Sequence, residues 1–351
     1  MLESVLNQYG IVEKSLVVEN FGSGLINNTW KISENGNAFI VQKINTNVFK
    51  KPGDIEQNID LIAGFLKIHN PDYLFVSPLQ AVNGKSMVYA NEEDFYRAFP
   101  FVPGSYSKDI VETPEQAFEA ATQFGRFTKK LKGIDVTKLK ITIPSFHDLA
   151  LRYNQFLTII ETGNKKRLAE SAELIRQLKD WSYIVDVYER IKRQSTFKLR
   201  VTHHDTKISN VLFDKLDKGL CVIDLDTVMP GYFISDLGDM FRTYLSPCNE
   251  DEKDFSKVIV RPDFFEAITA GYLSEMGKEL TNDEKEHFIY AGEFMIYMQA
   301  IRFFTDYING DIYYQARYDK HNLVRAQNQV ALLQAYQKEK ECFTRIVGKY
   351  L

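Results

Sequence analysis

Cysteine is scarce: Cys221, Cys248 and Cys342 are the only three in 351 residues. They are scattered and odd in number, which leaves neither a disulfide framework nor a CxxC zinc pattern and makes a reducing cytoplasm the expected compartment. Long apolar runs are missing too, and none approaches the roughly 18 residues that a membrane span requires. The N-terminal MLESVLNQYG has neither the basic nor the apolar region of a signal peptide. No excess of one charge exists: 43 Lys+Arg against 47 Asp+Glu gives a formal net charge of −4. That balance offers no attraction to nucleic acid or to an anionic membrane. Internal repeats and low-complexity tracts are absent. What is present is ordinary for a globular chain, with 44% hydrophobic and 26% charged residues. The length suffices for two domains or two lobes.

Residues 15–100 read as mostly strand with one helix. A β-rich run over 15–21 ends in Gly22 and Gly24; residues 28–33 form a strand, ENGN at 34–37 a hairpin turn, and 39–44 the returning strand. Pro52 opens a helix with apolar residues at Ile55, Ile59, Ile62, Phe65 and Leu66. Further strands are expected at 87–89 and 95–102, joined by the polar NEED at 91–94. After Pro103-Gly104 the pattern turns helical, over about 114–133, 146–160, 164–194, 262–276, 282–308 and 321–349. Strand-like KLRVTHHD, NVLFD and LCVIDLD interrupt it at 198–226. These readings predict an α+β chain: a β-rich N-lobe over 1–102 and a mainly helical C-lobe over 103–351.

VTHHDTKISNVLFD, residues 201–214, places two histidines, an aspartate, a lysine and an asparagine within eight residues and runs on into an apolar strand. Asp205 follows a strand, and Asn210 opens the next one. The turn at 215–219 makes a hairpin of NVLFD and LCVIDLD, which returns Asp224 close to Asn210. The hairpin is therefore expected to gather Asp205, Asn210 and Asp224 into one site. An amide and a carboxylate are hard oxygen ligands, suited to Mg²⁺ that keeps waters and a nucleotide's phosphates in its shell. Asp205 can accept a hydroxyl proton, and Lys207 can neutralise charge on a transferring phosphoryl group. An Asp followed by Lys two residues on and Asn five on is the layout of a kinase catalytic loop, with a separate Asp for the metal. The competing readings are a turn cap for Asp205 and a zinc site at His203 and His204. Adjacent histidines point to opposite faces of a strand and no third soft ligand is near, so His203 is expected to brace the loop instead.

The small lobe offers matching parts. Gly22 and Gly24 lie between two strands and could cover phosphates, with Asn27 where a third glycine would stand. Lys43 lies on the next strand and shares a face with Phe39 and Val41, an expected adenine floor with a cation for the phosphates. Glu56 is the expected ion-pair partner of Lys43. Backbone groups around Phe99 and Phe101 are expected to meet adenine. Each has a plainer alternative: a hairpin turn, a surface lysine, a first-turn glutamate on the helix dipole.

Taken together, VTHHDTKISNVLFD and CVIDLDTVMPG resemble the Brenner-type motif of the aminoglycoside phosphotransferase/choline kinase superfamily. More narrowly, GLINNTW, QKINTNVF, VTHHDTK, IDLDTVMPG, DLGDMFR and GDIYYQARYDKHNLVRAQNQ resemble bacterial N-acetylhexosamine 1-kinases, over nearly the whole chain. The resemblance implies a protein-kinase-like two-lobe fold. It implies transfer of the ATP γ-phosphoryl group to the anomeric hydroxyl of N-acetylglucosamine or N-acetylgalactosamine, with Mg²⁺. By position it makes Asp205 the base and Asn210 and Asp224 the metal ligands. Asp226 would serve the metal or the loop, and Asp236 would brace the loop. His204 stands where many relatives have Gly or Asn, and Lys43 where some have Arg or Gln. Asn28, Arg242, Arg302 and Tyr314 fall in the matching stretches and are the candidates for sugar contact. Against them stand ordinary helix pairs, Arg242 with Asp239 and Arg302 with Asp306. The Met295/Met298 helix reads as core. Two other functions stay open: a kinase of choline, homoserine, an aminoglycoside or another sugar, and a non-catalytic kinase-like binding protein.

Overall fold

The computed structural model describes residues 2–11, 16–22, 26–34, 36–91 and 94–351. In chain order the elements are α1 (Leu2–Gln8), β1 (Val17–Asn20), β2 (Asn28–Glu34), β3 (Asn37–Lys43), α2 (Pro52–His69), β4 (Met87–Tyr89) and β5 (Phe95–Pro100). Then come α3 (Pro114–Lys130), α4 (Leu149–Thr162), α5 (Lys165–Glu170), α6 (Ala172–Asp180), α7 (Tyr183–Arg193), β6 (Arg200–Thr202), β7 (Val211–Phe213), β8 (Gly219–Val222) and β9 (Met229–Gly231). The chain ends with α8 (Phe233–Tyr244), α9 (Pro262–Met276), α10 (Asn282–Glu286), α11 (Tyr290–Ile308), α12 (His321–Lys338) and α13 (Lys340–Val347). Among the described residues no helix is long and apolar enough to cross a membrane.

Contacts divide the chain into two compact units that are discontinuous in sequence, unlike the single cut near 102 expected above. The first comprises Met1–Asp109, Lys130–Pro144 and Ser209–Pro230. The second comprises Ile110–Lys129, Ser145–Ile208 and Gly231–Leu351.

The first unit is built on an antiparallel five-stranded sheet of order β1-β2-β3-β5-β4. Strand alternation gives β3 and β5 two different faces. Val41 and Ala98 are paired in register on one of them and pack with Ile32, Val88, Tyr96 and the α1 residues Val5 and Leu6. Gln42 and Arg97 are paired on the other. Helix α2 starts with a proline at its first turn and buries Ile55, Ile59, Ile62 and Leu66, the spacing of one helical stripe. The β7/β8 hairpin belongs to this unit.

The second unit is helical, with α11 at its centre against α12, α8, α4 and α7. Helix α11 is buried nearly all round, as expected of a helix enclosed by others. Two glycines set its spacing. A Cβ at Gly238 would collide with the Ala291 carbonyl, and one at Gly292 with the Tyr336 ring. Gly238→Ala should therefore destabilise the protein. About 1–3 kcal/mol of overpacking strain exceeds the roughly 1 kcal/mol of helix propensity that alanine brings. Chemical denaturation that showed a gain in stability would contradict this packing.

Several helices differ from the periodicity reading. The run 164–194 is three helices, α5, α6 and α7; 282–308 is α10 and α11; 321–349 is α12 and α13. Helices α1 and α8 had no counterpart in the sequence reading. In α8 the apolar period is hidden because Ser235, Asp236 and Asp239 are buried along with Phe233, Ile234, Leu237 and Phe241.

Candidate active site

The loop carrying Asp205 lies in the helical unit, and α8 holds it. The N–H groups of His203 and His204 donate to the two oxygens of Asp236, at 2.9 and 2.7 Å. The N–H of Thr206 donates to Asp239 at 2.8 Å, and the Tyr244 hydroxyl donates to the Thr206 carbonyl at 2.5 Å. His204 takes a left-handed φ of 66°, a conformation that an L-residue adopts only when its surroundings hold it. Its ring lies so close to Gly231 that a Cβ there would meet Nε2 at 2.5 Å. The His203 ring is fully buried with its edge against Phe124. Its backbone N–H, through Asp236, is what ties it to the loop's support. Upstream, Arg200 in β6 makes a two-pronged ion pair with buried Glu284, at 2.6 and 2.8 Å.

Burial pushes the Asp236 carboxyl up to about 7, although the His203 and His204 N–H groups work against it. The folded protein then holds a proton at Asp236 that the unfolded chain releases near 3.8. Stability from this group is therefore largest in acid and falls as the pH rises toward 7. Comparing the wild type with Asp236→Asn isolates the effect: the wild-type advantage in Tm should grow as the pH is lowered from about 8 to about 5. An advantage that shrank on acidification would contradict the assignment.

Asp205 is 20% exposed and Lys207 51%, with Nζ 3.1 Å from the carboxylate. Burial opposes ionisation of Asp205, but the charges of Lys207 and His203 hold its carboxyl below the ordinary value. Asp205 is thus a carboxylate at neutral pH, able to receive a proton. Arg242, a sugar candidate from the sequence, is placed otherwise. It lies between Asp239 at 2.9 Å and Glu250 at 3.1 Å and is largely buried. The helix-pair alternative for Arg242 is the one realised.

In the sheet unit, the β7/β8 register pairs Val211 with Val222, and the Ile223 N–H donates to the Asn210 carbonyl at 2.9 Å. The hairpin thereby brings Asn210 and Asp224 to the same end. Asn210 is buried; Asp224 is exposed, with a left-handed φ of 60°. An amide oxygen and an exposed carboxylate oxygen are a donor set that fits Mg²⁺. Asp226 is committed elsewhere: it ion-pairs with Arg97 and accepts from Asn27 Nδ2 at 2.7 Å.

The expected role of Lys43 is not supported by its position. The face bearing Phe39, Val41 and Lys43 is the one that α1 packs against, and Lys43 pairs with Asp94 at 2.5 Å. Glu56 is not its partner; that carboxylate accepts from Ser86 N, Ser86 Oγ and Met87 N at 3.1, 3.1 and 2.9 Å. The opposite face carries Gln42 and Arg97, with the Gln42 amide oxygen accepting from Arg97 Nε and Nη2 at 3.0 and 2.8 Å. Arg97 was missed, yet it had a signal: a cation alternating with Phe95 and Phe99 in a strand must be buried with a partner. Phe99 lies 5.0 Å from the Arg97 guanidinium. The Phe101 N–H already donates to the Ala38 carbonyl at 3.1 Å, and its ring stacks with Lys31 at 4.4 Å. It therefore has no N–H to give adenine. Gly22 has a φ of 82° with open space around it; Gly24 lies outside the described residues. Asn28 opens β2, is exposed, and is paired in register with Lys43.

Arg302 and Tyr314 come together in the helical unit, lining a cavity of about 540 Å³ with Arg152, Gln155, Thr305 and Asp306. Arg302 does not pair with Asp306. That carboxylate accepts instead from the Tyr313 and Tyr314 N–H groups at 2.8 and 2.9 Å and from Asn322 at 3.1 Å. Arg302 donates to Gln299 and lies 5.5 Å from the rings of both Phe146 and Tyr314. Phe146 is in turn 6.5 Å from the ring of His204, next to Asp205. Arg152 was missed, since helical spacing carries no sign of which face meets a cavity. Its Nη groups donate to Gln155 and the Ser145 carbonyl, while Nε and the Thr305 hydroxyl are buried without a partner. Burial, then the nearby Arg302 charge, push the Arg152 guanidinium down. Neither arginine meets a carboxylate among the described residues.

The profile of the phosphotransferase enzyme family matches residues 17–274. An aminoglycoside phosphotransferase from Alicyclobacillus acidocaldarius superposes with a TM-score of 0.65 at 11% identity, covering 98% of this chain and 95% of that one. A microcompartment-associated aminopropanol kinase gives 0.63 at 14% identity, covering 97% of each chain. Spectinomycin phosphotransferase, in complex with ADP and spectinomycin, gives 0.57 at 14% identity, covering 96% of this chain and 98% of that one. These structures share a kinase-like α+β fold with a sheet-rich N-terminal region and a helical C-terminal region. A family profile spanning most of the chain, on that fold, makes this protein a member of the phosphotransferase enzyme family.

Proposed function

We propose that this protein uses ATP to phosphorylate the anomeric hydroxyl of N-acetylhexosamines, giving the sugar 1-phosphate. The observation that carries the choice of acceptor is the charge of the Arg152/Arg302 cavity. Its acidic lining residue, Asp306, is already engaged by two backbone N–H groups and Asn322, so two arginines without carboxylate partners set the sign. A cationic acceptor would face like charge there, at up to about 4 kcal/mol for a 4 Å contact near a protein surface. A neutral sugar with an acetamido carbonyl and hydroxyl oxygens offers acceptors to the guanidinium groups. The Tyr313 and Tyr314 rings that line the cavity supply apolar surface for a pyranose face.

In the reaction, Asp205 orients the anomeric hydroxyl and takes its proton. The freed oxygen bonds to the γ-phosphorus as the bond to the β,γ-bridging oxygen breaks, and ADP leaves with that electron pair. Lys207 neutralises charge on the phosphoryl oxygens. Asn210 and Asp224 would hold Mg²⁺, which would neutralise phosphate charge when bound. Positioning and electrostatics supply most of the acceleration in this chemistry.

The alternative keeps the same residues and changes the acceptor. An ADP-release assay over N-acetylglucosamine, N-acetylgalactosamine, choline, homoserine and kanamycin separates the two. The N-acetylhexosamines should lead in kcat/KM by about 10²–10³, the equivalent of that like-charge contact. Preference for a cationic acceptor would replace this reading with the alternative.

A further inference from the structure

We propose that Arg97 is a positioning residue for the nucleotide site, acting through Asp226 on the metal ligand Asp224. This inference rests on the reading of Asp224 as a magnesium ligand. Arg97 and Asp226 form a buried ion pair, 1% and 3% exposed. Both carboxylate oxygens are engaged, Oδ1 by Arg97 and Oδ2 by Asn27 Nδ2. Each partner is anchored in turn. Arg97 gives Nε and Nη2 to Gln42 on the neighbouring strand, and Gln42 Nε2 donates to Thr29 at 3.2 Å. The Asn27 amide oxygen accepts from the Asn45 N–H at 3.0 Å.

Asp226 sits in the turn Leu225–Thr227 that immediately follows Asp224. Asp224 is left-handed there, a conformation that aspartate tolerates better than most residues but that neighbouring contacts help to hold. Contacts that hold the turn include the Arg97–Asn27 clamp on Asp226, the Val228 N–H donating to the Leu225 carbonyl at 3.1 Å, and the Asn58 amide donating to the Val228 carbonyl at 3.0 Å. Of these, the clamp is the one that grips a side chain of the turn. The clamp also joins the turn to Asn27, the residue that stands where a third glycine of a phosphate-covering loop is expected. Asp226 is buried with each oxygen engaged, whereas Asp224 just before the turn is the exposed carboxylate. Arg97, on the face opposite to Lys43, thus acts on the metal ligand rather than on substrate.

The test is Arg97→Met, read by Mg²⁺ half-saturation in titrations of nucleotide binding without acceptor, by KM for ATP and by KM for the acceptor. Loss of an outer-shell partner of a metal site typically costs about 10–100-fold in metal affinity, so Mg²⁺ half-saturation should rise by that factor. KM for ATP should rise with it, while KM for the acceptor stays within about twofold. The double variant Arg97→Gln/Asp226→Asn, which replaces the ion pair by a neutral amide pair, should recover part of the loss. Asn27→Ala removes only the Oδ2 contact and keeps the test open if Arg97→Met fails to fold; it should shift the same two constants in the same direction, by less. A folded Arg97→Met or Asn27→Ala protein with wild-type Mg²⁺ and ATP constants overturns the inference. A wild-type protein without magnesium-dependent nucleotide binding overturns instead the reading on which it rests.

Discussion

Replacing Asp205 with Asn lowers kcat by about 10²–10⁴, the usual worth of a positioned general base, and leaves nucleotide affinity nearly unchanged. The reason lies in what holds the loop. The N–H groups of His203, His204 and Thr206 are received by Asp236 and Asp239, so the backbone keeps its shape without the Asp205 charge. Asn is nearly isosteric, so it removes the proton acceptor and the charge paired with Lys207 while leaving the loop in place. Because Lys207 and His203 hold the Asp205 carboxyl below its ordinary value, the wild-type base is ionised throughout the neutral range. Its activity is lost only as the pH falls through that depressed value. Steady-state kinetics paired with nucleotide binding checks both halves. Near-normal turnover in Asp205→Asn removes Asp205 from its role.

Asp224→Asn is expected to cost nearly as much, by another route. Asp224 is the exposed carboxylate at the hairpin end beside Asn210, and its charge is what a divalent cation would meet. Charge stabilisation by a bound metal is worth several kcal/mol, so losing most of it lowers kcat/KM by about 10³. Unlike Asp205→Asn, this variant should bind MgATP poorly and improve at high Mg²⁺. A Mg²⁺ titration distinguishes them. Wild-type Mg²⁺ dependence in Asp224→Asn would take the metal away from this residue.

Local spacing made much of this legible. Asp205, Lys207 and Asn210 lie within one short stretch, and a short hairpin returns Asp224 to Asn210. Lys43 shows where local reading ended. Alternation correctly put Phe39, Val41 and Lys43 on one face, but which face is inward depends on α1, packed there through Val5 and Leu6. Arg97 could have been suspected as a charge in an apolar alternation, but its partner Asp226 lies 129 positions away in sequence (226 − 97). Arg242 and Arg302 looked alike in the sequence. Glu250 and Asp239 claim the first, while Asp306 turns to the 313–314 backbone and leaves the second to the cavity. Such choices depend on which acid a fold brings near, and no helical period encodes that.

The most direct measurement compares N-acetylglucosamine with its methyl glycoside as acceptor, with the product read by phosphorus NMR. The free sugar should consume ATP and yield a phosphate coupled to the anomeric proton, and the glycoside, lacking that hydroxyl, should yield nothing. Equal phosphorylation of both, or a phosphate coupled to any other position, would contradict transfer to the anomeric oxygen.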